Sequence, residues 1–338
     1  MPSPELGVGM QRREFIGLIG GAAAWPLAAR AQRPGKIPVV GVLWHGSAEK
    51  EWTNPFYHYL HDNFANLGYI ADKTVRFEER YANERQDKYD QFANELLALN
   101  PDLMMALNLP AALALKKATS RIPILFIAVP DPVGTGLVAS IAKPGGNITG
   151  MGGVAPETYL KRVQIFKQIV PGLSRLALLV DLDVPAQASF EREYYTSAAA
   201  ANGAQLEVFG ARDKRSIDEA FSKMVEAKCD GAVISQQGIF FLLRAELSEA
   251  ALSNRLPTMG PSEAFVPSGI LVAYSAVTKE RFVSLVAYAA KILRGEKPGD
   301  LPVHFATELS LAVNLKTATA LNLTIPPLIL GAADRVIE

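Results

Sequence analysis

The sequence lacks several things whose absence is informative. One cysteine among 338 residues cannot make an internal disulfide. Cys229 lies in the apolar-flanked stretch EAKCDGAVIS, just before a strand pattern, so it reads as a buried structural thiol. Its distance from the N-terminus also excludes it as a lipid-attachment cysteine. Charge of either sign is not in excess, with 34 basic and 34 acidic residues, and the uniformly positive field that captures nucleic acid is therefore missing. No nucleic-acid partner is expected. Histidines number four, at 45, 58, 61 and 304, and neither a Gly-x-Ser-x-Gly elbow nor a Gly-x-x-x-x-Gly-Lys-Ser/Thr loop occurs. An activated nucleophile and a phosphate cradle are both absent, so an exported enzyme is the weaker alternative and no cofactor is expected. His58 and His61 lie three apart, with His45 and Glu49 nearby, a possible Zn²⁺ set. A solvated helix face explains the pair more simply, and no metal is expected.

What is present begins with an address. Residues 10–32 read MQRREFIGLIGGAAAWPLAARAQ: Arg12 and Arg13, a weakly apolar Gly/Ala-rich run, then the small-x-small sequence Ala29-Arg30-Ala31. This fits a twin-arginine export signal over 1–31, cleaved near Ala31, with either Met1 or Met10 as the start. The run is shorter than the ~20 apolar residues a bilayer span needs. A chain exported this way works in the periplasm, where ATP and NAD are scarce.

The length suits two domains of ~150 residues, and 49% hydrophobic residues provide for a core in each. In the first half, strand patterns at 37–44, 74–82, 102–108 and 122–129 alternate with helical ones at 54–68, 90–100 and 110–118. Phe56, Tyr59, Leu60, Phe64 and Leu67 recur at three- and four-residue spacing and define one apolar helix face. In the second half, strands are expected at 175–181, 205–211, 230–237 and 255–262. Helices fall at 157–169, 186–202, 216–228 and 240–254, the third opening on a capping-box pattern of Ser216 and Glu219. Near-continuous apolar strands between amphipathic helices predict parallel sheets covered on both faces. Each half reads as a doubly wound, Rossmann-like α/β unit. KPGGNITGMGG (143–153) reads as a break between them, and VPSGILVAYS (266–275) as a further strand before a long helix. The expected division is lobe 1 over 37–149 and 266–303, and lobe 2 over 154–262 and 307–338, with chain crossings near 150, 263 and 305.

Ligands of open parallel sheets bind beyond the carboxyl ends of the strands. Reading those ends gives Trp44, Ser47, Asn108 and Asp131 in the first half, and Asp181, Gln236, Glu263 and Tyr274 in the second. Ser47 and the amides after Asn108 would hold a carboxylate at a helix start. Asp131 or Glu263 would face an ammonium group, and Trp44 and Tyr274 would stack on a side chain. Turn or cap duty competes at every one of these positions, most strongly for Asp131 before Pro132.

The signal RREFIGLIGGAAAWPLAARAQ, the segment VPDPVGTGLVASIAKPGGNITG and the late VNLKTATALNLTIPPLILGAADRVIE resemble the ABC-transporter substrate-binding family that includes tryptophan- and tyrosine-binding periplasmic proteins. The likeness spans about Ile37 to Glu338. It implies a type I periplasmic-binding-protein fold, two lobes joined by three crossovers, and it supports Ser47, Asn108, Asp131, Asp181, Gln236 and Glu263 at the cleft. It also implies capture of a small solute, an amino acid or aromatic acid, by lobe closure and its delivery to an ABC permease with its ATPase, the only route by which the chain would meet the membrane. A periplasmic sensor module presenting its ligand-bound shape to a receptor would share the fold and is the alternative.

Overall fold

A computed structural model describes residues 37–48 and 55–338. The export signal (1–31) and Glu49 lie outside the described residues.

The first sheet has five strands in the order β2-β1-β3-β4-β5, all parallel: β1 (Val39–Trp44), β2 (Arg76–Tyr81), β3 (Leu103–Ala106), β4 (Ile124–Val129) and β5 (Ile148–Gly152). Every residue of β1 is buried, as a central strand covered on both faces requires. The helices are α1 (Pro55–Asn66), α2 (Gln86–Ala98) and α3 (Leu109–Ala118). In α1 the expected face is half right: Leu60 and Phe64 are fully buried, whereas Leu67 is 51% exposed just beyond the helix end. Asn108 caps α3 by accepting the amide of Ala111 at 2.9 Å.

The second sheet has seven strands in the order β12-β11-β10-β9-β8-β6-β7, parallel except where β10 meets β11. They are β6 (Arg175–Val180), β7 (Gln205–Gly210), β8 (Gly231–Ile234), β9 (Thr258–Gly260), β10 (Val272–Ala276), β11 (Leu309–Asn314) and β12 (Arg335–Ile337). Helices α4 (Glu157–Ile169), α5 (Pro185–Ala201), α6 (Lys214–Glu226), α7 (Gly238–Leu242) and α8 (Arg244–Ser253) accompany them, followed by α9 (Thr278–Leu293), α10 (Leu315–Ala320) and α11 (Pro327–Gly331). Cys229 is buried, which pushes its thiol up to about 11 and keeps it unreactive at neutral pH.

Several expectations are corrected. KPGGNITGMGG does not break the sheet: its second half is strand β5, register-paired with β4 from Ile124↔Ile148 to Val129↔Gly152. Glycine is tolerated there because a neighbouring backbone presses close, the Phe126 carbonyl lying 2.1 Å from where a Gly150 Cβ would stand. Helix α6 starts earlier than the Ser216/Glu219 pattern suggests. Its N-cap is Asp213, which accepts the Ser216 amide at 2.8 Å while Ser216 Oγ receives the Asp213 amide at 3.0 Å, a closed box one turn upstream. Residues 263–268 form a 3₁₀ turn, and the strand that follows, β10, belongs to the seven-stranded sheet.

The assignment of 266–303 to the first lobe therefore holds only from α9 onward. Phe282, Leu285, Val286, Ala289 and Ile292 of α9 share a core with Val40, Val42, Trp44 and Leu60. The chain crosses between sheets at 153–156, at 277 and at 305–308, so the crossing placed near 263 moves to 277. Two crossings touch, Val277 N donating to Glu308 O at 3.0 Å. Among the described residues no helix is long and apolar enough to cross a membrane.

Candidate functional site

The carboxyl ends of both sheets meet in a cavity of about 110 Å³, against the ~10–15 Å³ that one water needs. It has room for a small organic solute. From the first lobe it is lined by His45 after β1, Glu84 after β2, Asn108 after β3 and Ala128 at the end of β4. Ala128 has φ +64°, and the β4–β5 register shifts between Ile127 and Val129. A non-glycine residue in that region is strained, and such strain collects where a strand is re-aimed into a site. The second lobe contributes Gln187, Gln236, Gln237, Gly238, Ser262 and Ser275.

The apolar part is aromatic. Phe56 of α1 stacks on Phe241 of α7 with centroids 4.9 Å apart and on Phe282 of α9 at 5.9 Å, and Phe265 meets Phe241 edge-on at 6.1 Å. Phe56 and Phe282 belong to the first lobe's core, Phe241 and Phe265 to the second's. The aromatic patch thus joins the lobes.

One full charge faces this patch without an ion pair among the described residues. Arg281, 7% exposed, donates through Nη2 to the Gly152 carbonyl at 3.1 Å, and its Nε has no hydrogen-bond partner among the described residues. Burial pushes its guanidinium down to about 10, against a smaller opposing pull from Glu280. No described carboxylate lies within 4 Å of it. A buried cation held this way is stabilised by an anion entering the cavity.

Across the cleft, Glu84 is 2% exposed and sits in a left-handed pair with Asn83, at φ +54° and +48°. Its carboxylate lies 3.3 Å from His45 Nδ1 and accepts Tyr89 Oη at 3.2 Å and Asn108 Nδ2 at 3.4 Å. It also presses on Gly238 of the other lobe, where an added Cβ would stand 1.8 Å from Oε1. Its carbonyl accepts Nη2 of Arg212, a second-lobe residue that pairs with Asp181 at 2.7 Å and Asp183 at 3.0 Å. The lobes are therefore bonded to each other in a closed arrangement.

Of the eight residues expected at the cleft, Asn108 and Gln236 line the cavity. Asp181 lies just behind it, 1% exposed. Burial raises its carboxyl above the usual range, opposed by the Asp183 amide and Arg212, while its backbone clasps both ends of the Gln237 amide at 2.6 and 2.7 Å. Trp44 is wholly buried in the first core, donating to Glu79 at 2.8 Å and stacked on Tyr81. Strand alternation turns Trp44 away from the side that His45 faces. Ser47 is half-buried and does not line the cavity. Asp131 caps its own turn, accepting Gly134 N at 2.7 Å. Glu263 is held by Ser310 Oγ at 3.4 Å, and Tyr274 packs on the second core while its carbonyl accepts Arg162 Nε at 2.8 Å. Neither reaches the cavity lining.

The missed residues left one legible signal. In α9, Arg281 shares a buried stripe with Leu285, Ala289 and Ile292 at four-, four- and three-residue spacing, and a charge on an apolar stripe marks a functional candidate. Among the described residues no group of three metal-ligating side chains occurs: His61 pairs with Glu79 at 3.2 Å and His45 with Glu84.

Residues 47–337 match the family model described as ABC transporter substrate binding protein. The chain belongs to the ABC transporter substrate-binding protein family. This is a family of solute-binding proteins, not enzymes. A tyrosine-binding protein from Clostridioides difficile (strain R20291) is 25% identical over 259 residues, 76% of this chain and 73% of that one. A solved conserved-domain protein from Vibrio cholerae superposes with a TM-score of 0.83 at 27% identity, over 89% of this chain and all of the other. A domain from Streptococcus pneumonia solved with L-Trp gives 0.82 at 25% identity, again over 89% and 100%. As a substrate-binding protein, the chain has the two-lobed periplasmic-binding fold that its sequence suggested.

Proposed function

We propose that this substrate-binding protein captures a small carboxylate-bearing solute with an apolar or aromatic body, an amino acid or aromatic acid, by closing its lobes over it. The observation that carries the reading is Arg281, a buried guanidinium lining a cavity whose other side is Phe56, Phe241 and Phe282, with no described carboxylate within 4 Å. An anion supplied by the solute would bond that guanidinium while the rings cover its body. The tyrosine-binding and L-Trp-bound relatives support the same solute class. Contacts from both rims favour the closed form by differential affinity, and the closed form is what a permease with its ATPase would receive. The twin-arginine pattern of Arg12 and Arg13 supports work in the periplasm after cleavage near Ala31.

A thermal-shift and calorimetric screen of the mature protein against amino acids, aromatic acids and neutral sugars tests this. Aromatic or branched amino acids are expected to stabilise it by about 2.7 kcal/mol at a hundredfold excess over Kd. Binding confined to neutral sugars would refute the reading. Replacing Arg12 and Arg13 by lysine should hold the precursor in the cytoplasm, and unchanged export would refute that route.

A further inference from the structure

Behind the second-lobe wall of the cavity lies a carboxylate that touches no solute position. Glu191, 1% exposed, stands one turn after Gln187 on α5. Its oxygens receive N–H groups: Gln187 Nε2 at 3.0 Å and the Gln236 amide at 3.1 and 3.3 Å. Gln187 Nε2 also donates to the Gln236 carbonyl at 2.8 Å. Both Nε2 hydrogens are thereby committed, and the amide oxygen of Gln187 is left on the opposite side, toward the cavity that the residue lines. Gln236 Oε1, in the same wall, is buried with no hydrogen-bond partner among the described residues.

We infer that Glu191 acts with the Gln236 carbonyl to fix the polarity of this wall: the two acceptors claim both hydrogens of the Gln187 amide, so that the second lobe offers the solute oxygens and demands a donor, an N–H or ammonium, in return. An amide between amphoteric partners flips at little cost, but neither a carboxylate nor a carbonyl donates, so only one orientation of Gln187 is satisfied against the pair. Burial raises the Glu191 carboxyl above its usual range while the bond from Gln187 opposes that rise, and the N–H groups around it serve the ionised form. Arg162, buried in the same lobe and bonded to the carbonyls of Tyr274 and Pro261, supplies the nearby positive charge. A Gln187 amide that merely stapled α5 to the strand end would leave solute discrimination unaffected.

The inference rests on the cavity being the solute site, and its test separates the two. Gln187→Met keeps the side-chain length and removes the oxygen offered to the cavity, whereas Glu191→Gln can still present an oxygen to Gln187 Nε2 and leaves the amide held by the Gln236 carbonyl. With L-tryptophan and indole-3-propionate as probes at pH 7.5, the wild-type preference for the amine-bearing probe should fall at least tenfold in Gln187→Met and change less than twofold in Glu191→Gln. Equal losses for both probes in Gln187→Met would mean a structural staple and overturn the inference. A neutron structure of the solute-free wild type reads the amide directly: deuterons of Gln187 Nε2 on the Glu191 side support the assignment, and deuterons aimed into the cavity overturn it. If neither probe binds the wild type while the neutron map shows the locked amide, the solute-site reading fails and the positioning role stands.

Discussion

Replacing Arg281 by methionine should separate solute binding from folding. The side chain is 7% exposed and has no described carboxylate within 4 Å, so its charge is a cost to the empty protein. A fall from the ordinary arginine range to about 10 corresponds to about 3 kcal/mol disfavouring the charged form. Methionine keeps most of the volume and removes that cost, although the Gly152 carbonyl loses its partner at 3.1 Å. The net expectation is a solute-free melting temperature equal to or above that of the wild type. Affinity should move the other way, since removing one member of a buried charged pair costs about 2–5 kcal/mol, or about 30- to 4,000-fold in Kd. Calorimetry with indole-3-propionate beside a thermal melt of the empty protein reads both quantities. A Kd within threefold of wild type would refute the anchor, and so would a parallel loss of melting temperature, which would make Arg281 a structural residue. The pH dependence has a definite sign. In the empty protein the guanidinium begins to lose its proton near pH 10, whereas a bound anion holds the proton on. Affinity for indole-3-propionate, whose own carboxylate stays ionised, should be flat up to about pH 9 and fall roughly tenfold per unit above 10. The same depression lowers folding stability fully below pH 10, and that penalty lifts as pH rises toward the unfolded value.

Other perturbations address closure and fold. Gly238→Ala would place a Cβ 1.8 Å from Glu84 Oε1, so it should wedge the lobes apart, weaken every solute by tenfold or more and enlarge the solute-free radius of gyration in X-ray scattering; an unchanged radius and affinity would refute the contact. Arg212→Met removes the bond to the Glu84 carbonyl and leaves Asp181 buried without its cation, with an expected loss of about 3–5 kcal/mol at pH 7 by denaturant titration. Because the Asp181 carboxyl is already raised, that loss is full above its folded pKa and shrinks as pH falls through it; a loss that grows toward low pH would contradict the assignment. Gly150→Ala would drive a methyl to 2.1 Å from the Phe126 carbonyl between β4 and β5, and a stability loss of about 3 kcal/mol or more in urea unfolding is expected; wild-type stability would show that the strands can part.

The closed arrangement bears on how a solute leaves. Glu84 connects the lobes twice, through its carbonyl to Arg212 and through its carboxylate against Gly238, and it does so from two consecutive left-handed residues. Such backbone costs about 1–3 kcal/mol per residue. Opening to release a solute would break both contacts.

The sequence alone settled matters that depend on short-range pattern. Apolar runs such as IPVVGVLW and RLALLVD place strands, the stripe in α1 places a helix, and their alternation requires two parallel-sheet lobes. Asn108 and Gln236 were legible as cavity residues because each lies two residues beyond the end of a strand. Tertiary structure decided the rest. Alternation in β1 buried Trp44 and gave His45 to the site, a choice that depends on which face packs against α1. Whether β10 joined the first or the second sheet was fixed by its pairing with β9 and β11, contacts that no local window contains. Arg281 became the cavity's cation only because α9 returns to the first lobe after the crossing at 277, bringing a charge from one end of the chain against rings from the other. A strand's existence follows from its own residues, but a cleft is made of loop ends distant in sequence, and what each side chain faces is set by packing.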